Sequence, residues 1–219
     1  MLDPHYRADL PALPPKMAHL PLSAKGYPIP YFVGYVDGQP DFRCADPAKL
    51  RRCVKDRRCW LCGGQLGRHL AFAIGPMCII NRVSSEPPSH RECARYGAQA
   101  CPFLTRPAAH RRDANMPDDA KPMPGVTVLR NPGVVALWYT EKYALFKAPG
   151  GFLFRIGEPD AIEWFAQGRP AAPAEVRESF DSGADILRDV AAGQGVSALV
   201  ALQREVERAR TYLPEGAPA

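Results

Sequence analysis

Apolar and polar residues change their spacing several times along this chain, and each change marks an element. Residues 1–40 keep no period, because eight prolines (Pro4, Pro11, Pro14, Pro15, Pro21, Pro28, Pro30 and Pro40) interrupt them. Proline at that density blocks helices and favours extended backbone. The stretch reads as an arm lying over the rest of the fold, anchored by Tyr27, Tyr31, Phe32 and Tyr35. A short basic helix is predicted next, capped by Asp46 with Pro47 in its first turn. Leu50, Cys53 and Val54 form its narrow apolar stripe among Lys49, Arg51, Arg52, Lys55 and Arg58. Residues 69–74 and 77–81 resemble two strands folded about Gly75-Pro76. Ser89-His90-Arg91-Glu92 then has the capping-box pattern of a helix start, and Pro102 stops that helix.

A breaker-rich linker over residues 102–125 separates this part from a run of shorter period. Residues 126–129, 134–140, 143–148 and 152–156 read as strands, divided by turn-like Asn131-Pro132-Gly133, Glu141-Lys142 and Pro149-Gly150-Gly151. Consecutive strands with short turns predict an antiparallel meander. Helical spacing follows: Pro159 opens residues 160–167 and Pro173 opens a longer helix. The last, 196–213, places Val196, Leu199, Val200, Val206 and Leu213 largely on one face. Strands first and helices afterwards predict an α+β protein. The expected organisation is a proline-rich arm (1–40), a basic helix with a metal-binding unit (41–101), the linker (102–125), and antiparallel strands followed by helices (126–219).

Composition narrows the class. Of 219 residues, 46% are apolar and 23% charged, enough to bury a core and to exclude disorder throughout. The longest apolar stretch, residues 70–80, is broken by Gly75-Pro76 and is too short to cross a bilayer, so no membrane role is expected. The N-terminus, MLDPHYRADL, lacks the pattern of a secretory signal. With 28 Lys plus Arg against 23 Asp plus Glu, the net charge of +5 permits an anionic partner without requiring one. Seven cysteines cannot all pair within one chain, which points to a reducing, cytoplasmic setting and to metal or core roles.

The densest chemistry lies between Cys59 and Cys93. Cys59-Trp60-Leu61-Cys62-Gly63-Gly64 is a tight turn that can aim two thiolates at one ion, with glycines after it to permit positive φ. His90 and Cys93, three apart in a first helical turn, share a face. The spacing Cys-x2-Cys, 27 residues, His-x2-Cys predicts a knuckle, a β-hairpin and a helix, the layout of a treble-clef zinc unit. Three thiolates and an imidazole suit Zn2+. Buried incidental cysteines, a redox pair and an iron–sulfur cluster using Cys53 or Cys44 are the competing readings. The last fails the common ferredoxin spacings, and the redox motif lacks its preceding strand. Cys78 sits in an apolar run. Cys101, roughly 12 Å along the helix from Cys93, is too far away to share the ion.

The segment CWLCGGQLGRHLAFAIGPMCIINRVSSEPPSHRECARYGAQACPFL resembles uncharacterised bacterial and phage-encoded proteins. In these a CWxCG turn precedes a GPMC stretch, an EPPSH loop and an ACPFL helix end. The downstream GGFLFRIGEPDAIEWFAQGRPAAPAEV is similar too, so the likeness spans much of residues 41–190. It implies a soluble zinc-binding protein of a kind carried by prophages, and it supplies no established activity.

Three functions compete. A non-catalytic module would contact nucleic acid through Arg51, Arg52, Lys55, Arg57 and Arg58, with Arg68, Arg82, Arg91 and Arg95 beyond and Trp60 as a stacking platform. A protein–protein adaptor would use the aromatic strands or the final helix. A zinc-dependent hydrolase or nuclease would need an open metal position and further polar groups, for which His69 and Asn81, or an acid cluster of Glu158, Asp160 and Glu163, are the candidates. No phosphate loop or nucleophile elbow is present in the sequence.

Overall fold

The computed structural model describes residues 4–110 and 130–215, and the fold is α+β. Strand β1 (Val33–Val36) pairs with β2 (Gln39–Ala45) in a hairpin, and α1 (Pro47–Lys55) follows. Asp46 caps α1, its carboxylate accepting from the N–H groups of Ala48 and Lys49 at 2.8 and 3.1 Å. Next come β3 (Leu70–Ile74), α2 (Pro76–Asn81), β4 (Val83–Ser84), α3 (Arg91–Ala100) and the single turn α4 (Pro102–Thr105). Beyond the undescribed stretch lie β5 (Val135–Thr140), β6 (Tyr143–Ala148), β7 (Gly151–Ile156), β8 (Ala161–Ala166) and β9 (Arg169–Pro170). Helices α5 (Pro173–Gln194) and α6 (Val196–Arg210) complete the order.

Two antiparallel sheets organise the larger part. One runs β3-β5-β8-β9, the other β4-β7-β6. All six residues of β5 are buried, since both faces of its sheet are covered. Val135, Leu137 and Tyr139 face α3 through Ala94 and Ala98. Ala136 and Trp138 face the opposite core of Phe72, Phe154, Trp164, Val176, Phe180 and Val206. Register keeps the two sets apart, with Ala71 opposite Tyr139 and Phe72 opposite Trp138. A third cluster, Met17, Leu20, Leu66, Leu70, Tyr96 and Ala100, surrounds Cys59, Cys62 and Cys93.

Several expectations are corrected. Residues 77–81 form helix α2 rather than the return strand of a hairpin. Pro76 starts it, and Ile79 and Ile80 are fully buried in the core that α5 and α6 complete. A short apolar run satisfies either period until its neighbours decide. Residues 160–167 give strand β8 rather than a helix. Ile162, Trp164 and Ala166 lie on one face and Phe165 on the other, before a turn in which Gln167 and Gly168 both have positive φ. The expected single meander is split: β5 pairs with β3 and β8, while β6 and β7 form a hairpin extended by β4. Val206 of α6 is buried, but Val196 and Val200 are 78% and 50% exposed, so the predicted apolar face covers the core only in part. The expected strand 126–129 and the linker residues 111–125 lie outside the described residues.

Candidate metal centre

The knuckle is a closed backbone turn. Cys59 N–H donates to Gly64 O and Gly63 N–H to Cys59 O, both at 2.8 Å. Gly63 takes φ +73°, and a Cβ there would stand 2.6 Å from the Tyr31 ring, so glycine is required on two counts. The turn also points N–H groups at sulfur. Cys59 Sγ accepts from Cys62 and His90 N–H, and Cys62 Sγ from Gly64 N–H, each at 3.4 Å.

The second donor pair arrives on α3, whose N-cap is His90 rather than the predicted Ser89. Ser89 is instead held in extended pairing with Ala71, its N–H and carbonyl bonding to that residue at 2.8 and 2.9 Å. This bridge to β3 sets where the helix begins. Cys93 stands in the first turn, so a helix N-terminus faces the sulfurs and favours negative charge there.

One donor atom each from Cys59, Cys62, His90 and Cys93 lies within 4.8 Å of all the others, a Cys3His cluster that could hold a metal ion. The three sulfurs are 0–2% exposed and His90 is 9% exposed. His90 Nδ1 is 3.3 Å from Cys62 Sγ and 3.9 Å from Cys93 Sγ, while Nε2 lies 2.9 Å from Gln65 O. Nε2 therefore carries the proton that Gln65 accepts, which leaves Nδ1 as the atom that would ligate a metal, a common outer-shell arrangement. Hydrogen bonding to Cys59 and Cys62 raises His90 to about 10. Burial pushes the Cys59 thiol up, but hydrogen bonds from Cys62, Cys93 and His90 hold it well below the ordinary thiol range. Cys93 is raised by its hydrogen bonds to Cys59 and Cys62. Cys59, His90 and Cys93 thus share protons in one buried space, where a divalent cation would displace protons and satisfy the donors.

The N-terminal segment encloses this centre, a relationship with no local signal in the sequence. His19 Nε2 is 3.1 Å from Cys62 O, Tyr31 N–H donates to Leu61 O at 2.7 Å, and Lys16 pairs with Glu92 of α3 at 2.6 Å. Cys44, Cys53, Cys78 and Cys101 stand outside the cluster. Cys53 is buried beside it, and that burial pushes its thiol up to about 12.

The basic residues divide into two groups. Arg51, Arg52, Lys55 and Arg57 are exposed on and after α1. Arg58 is half-buried and donates to Gly63 O at 3.1 Å, tying α1 to the knuckle. The more distant cations are committed to local partners: Arg68 to Glu141, Arg82 to Glu158 and Arg95 to Glu163, with Arg91 over the Tyr139 ring. Trp60 is 4% exposed and stacks on Phe32 at 4.7 Å, so it is a core residue and not a stacking platform. Tyr143 lies under Arg57 and opens onto a cleft of about 530 Å3 that also holds Lys142, Arg155 and Asn81.

Of the proposed catalytic groups, His69 and Asp160 come together with Glu141, one donor atom of each within 4.8 Å of the others, whereas Asn81, Glu158 and Glu163 are engaged elsewhere. Asn81 Oδ1 accepts from Val83 N–H at the end of α2. Glu158 bonds Arg82 and Tyr212, and Glu163 bonds Arg95, which leaves Asp160 without either acid as a partner. Among the described residues no helix is long and apolar enough to cross a membrane. No protein-family model, curated protein or solved structure matches this chain.

Proposed function

We propose that this chain is a zinc-stabilised, non-catalytic binding protein that contacts the phosphate backbone of nucleic acid through the exposed face of α1. The reading takes the Cys3His cluster as a closed Zn2+ site in which four protein donors fill a tetrahedron and leave no position for a reacting water. Knuckle and helix N-terminus would then make a treble-clef-like unit, with β3 and α2 in place of its hairpin. Such a site carries a formal charge near −1, from three thiolates and one divalent ion, which suits the N-terminus of α3.

The observation that carries the nucleic-acid assignment is on α1. Arg51, Arg52 and Lys55 are exposed and make no ion pair with any described residue, while Arg58 fastens the same segment to the knuckle. Guanidinium and ammonium groups on a metal-braced scaffold fit sequence-independent phosphate contacts. Fluorescence anisotropy with labelled duplex DNA and single-stranded RNA, repeated across a salt series, tests it. Affinity should fall steeply with salt, and Arg51→Ala/Arg52→Ala should flatten the slope by about one unit per cation removed. No binding at low salt would end this reading.

A protein–protein adaptor is the second reading, supported by Phe152, which is 58% exposed on the β6–β7 hairpin beside Leu145 at 40%. Nuclease-resistant capture of one defined protein that Phe152→Ser abolishes would favour it over nucleic acid.

A further inference from the structure

Three ligand-type side chains from three separate segments meet at one end of the four-stranded sheet. His69 immediately precedes β3, Glu141 immediately follows β5 and Asp160 immediately precedes β8. Antiparallel register sets Leu70 opposite Thr140 and Tyr139 opposite Ala161, so all three positions lie at the same end of adjacent strands, His69 level with Glu141 and Asp160 level with Thr140. One donor atom from each lies within 4.8 Å of the other two, and His69 Nδ1 is 3.5 Å from Glu141 Oε1.

We propose that His69, Glu141 and Asp160 form a second metal site that binds a divalent transition-metal ion such as Mn2+, Fe2+ or Zn2+. An imidazole with two carboxylates is a harder donor set than the Cys3His cluster and selects from the oxygen- and nitrogen-preferring ions. Metal–ligand bonds of about 2.1 Å place donors roughly 3 Å apart, a contraction that exposed Asp160 and half-buried Glu141 reach by rotamer change. Three protein donors leave coordination positions to water.

The backbone beneath these positions is fixed. Thr140, 1% exposed, donates from its hydroxyl to Glu158 O at 2.8 Å and accepts from Lys142 N–H at 3.3 Å. Gly157 N–H donates to Lys142 O, and Asp160 N–H to Tyr139 O, both at 2.8 Å. The turn that carries Glu141 and the segment that carries Asp160 are thereby held to one another. Arg68 occupies one oxygen of Glu141 at 2.7 Å and leaves the other directed at His69. Its side chain is 76% exposed and can leave when a metal supplies the positive charge.

Mn2+ is the probe of choice, because the thiolate cluster, once loaded with Zn2+, does not exchange for so hard an ion. Full-length protein loaded with a single equivalent of Zn2+, which the thiolates take first, is titrated with Mn2+ while the electron paramagnetic resonance signal of the free aqua ion is followed. Loss of that signal at one equivalent per chain is expected, with amide broadening centred on residues 69, 141 and 160. His69→Ala and Asp160→Asn, each removing a direct ligand, should each weaken binding by at least the roughly 10- to 100-fold that loss of an outer-shell partner costs. Circular dichroism and an unchanged zinc content check that these variants are folded. A free-ion signal that persists at millimolar protein, or Mn2+ binding that is the same in both folded variants and wild type, would overturn the proposal.

Discussion

His90 is held between two partners of opposite kind: its Nε2 lies 2.9 Å from the main-chain oxygen of Gln65 and its Nδ1 3.3 Å from Cys62 Sγ. The Gln65 contact uses backbone, so its side chain is dispensable. Gln65→Ala should therefore keep the metal, whereas His90→Ala, which removes a direct ligand, should weaken binding by more than the roughly 10- to 100-fold typical of an outer-shell partner. Competition with a chromogenic zinc chelator, read beside native mass spectrometry, separates the two variants.

Removing a bound ion from the intact protein should unfold more than the knuckle, because Met17, Leu20 and Tyr96 belong to the same buried cluster as Cys59, Cys62 and Cys93. Structural zinc contributes on the order of 10 kcal/mol where folding depends on it. Chelation should abolish hydrogen-exchange protection over residues 59–101 and over the N-terminal segment around Met17. Protection that survives in that segment would show that it docks without the metal.

Gly63 combines a left-handed backbone with a ring contact. Gly63→Ala should cost roughly 1–2 kcal/mol from φ alone, and the new Cβ would also stand 2.6 Å from Tyr31. The two costs separate in a double variant. Tyr31→Ala/Gly63→Ala should recover the ring-contact part relative to the two single changes and leave the backbone part, as read from urea midpoints.

Sequence alone reveals what is local. The glycine-followed Cys-x2-Cys, the Asp46 cap and the bounds of β6 all follow from neighbours a few residues apart. Residues 77–81 and 160–167 were legible as ordered but not as to type, because their periods are settled by α5 and α6 in one case and by pairing with β5 in the other. The split of the strands into two sheets had no local signal either, since β5 is apolar on both faces and names no partner. Enclosure of the metal centre by His19 and Lys16, and the grouping of His69, Glu141 and Asp160, appear only once register and packing are known.

Cys53 tests whether proximity to the cluster implies a role in it. Burial pushes its thiol up to about 12, so it is protonated at neutral pH and inert toward alkylation. Cys53→Ala should leave the ion of the Cys3His cluster in place, while Cys93→Ala should lose it. Metal loss in Cys53→Ala, with folding intact by circular dichroism, would mean that the donor set is wrong.

Glu175 sets a pH dependence far from the cysteines. Its carboxylate is held down at about 2, first by Arg169 at 2.7 Å and then by Ala172 N–H at 2.8 Å. The folded value lies below the unfolded one, so this contribution is complete above about pH 4.5 and disappears as pH falls toward 2. Glu175 is near the surface, where solvent screening limits such a pair to about 1 kcal/mol or less. Glu175→Gln should therefore lower the urea midpoint slightly at neutral pH, and the difference from wild type should close on acidification. A gap that stays constant across that range would assign the effect to helix capping at the start of α5 and not to charge.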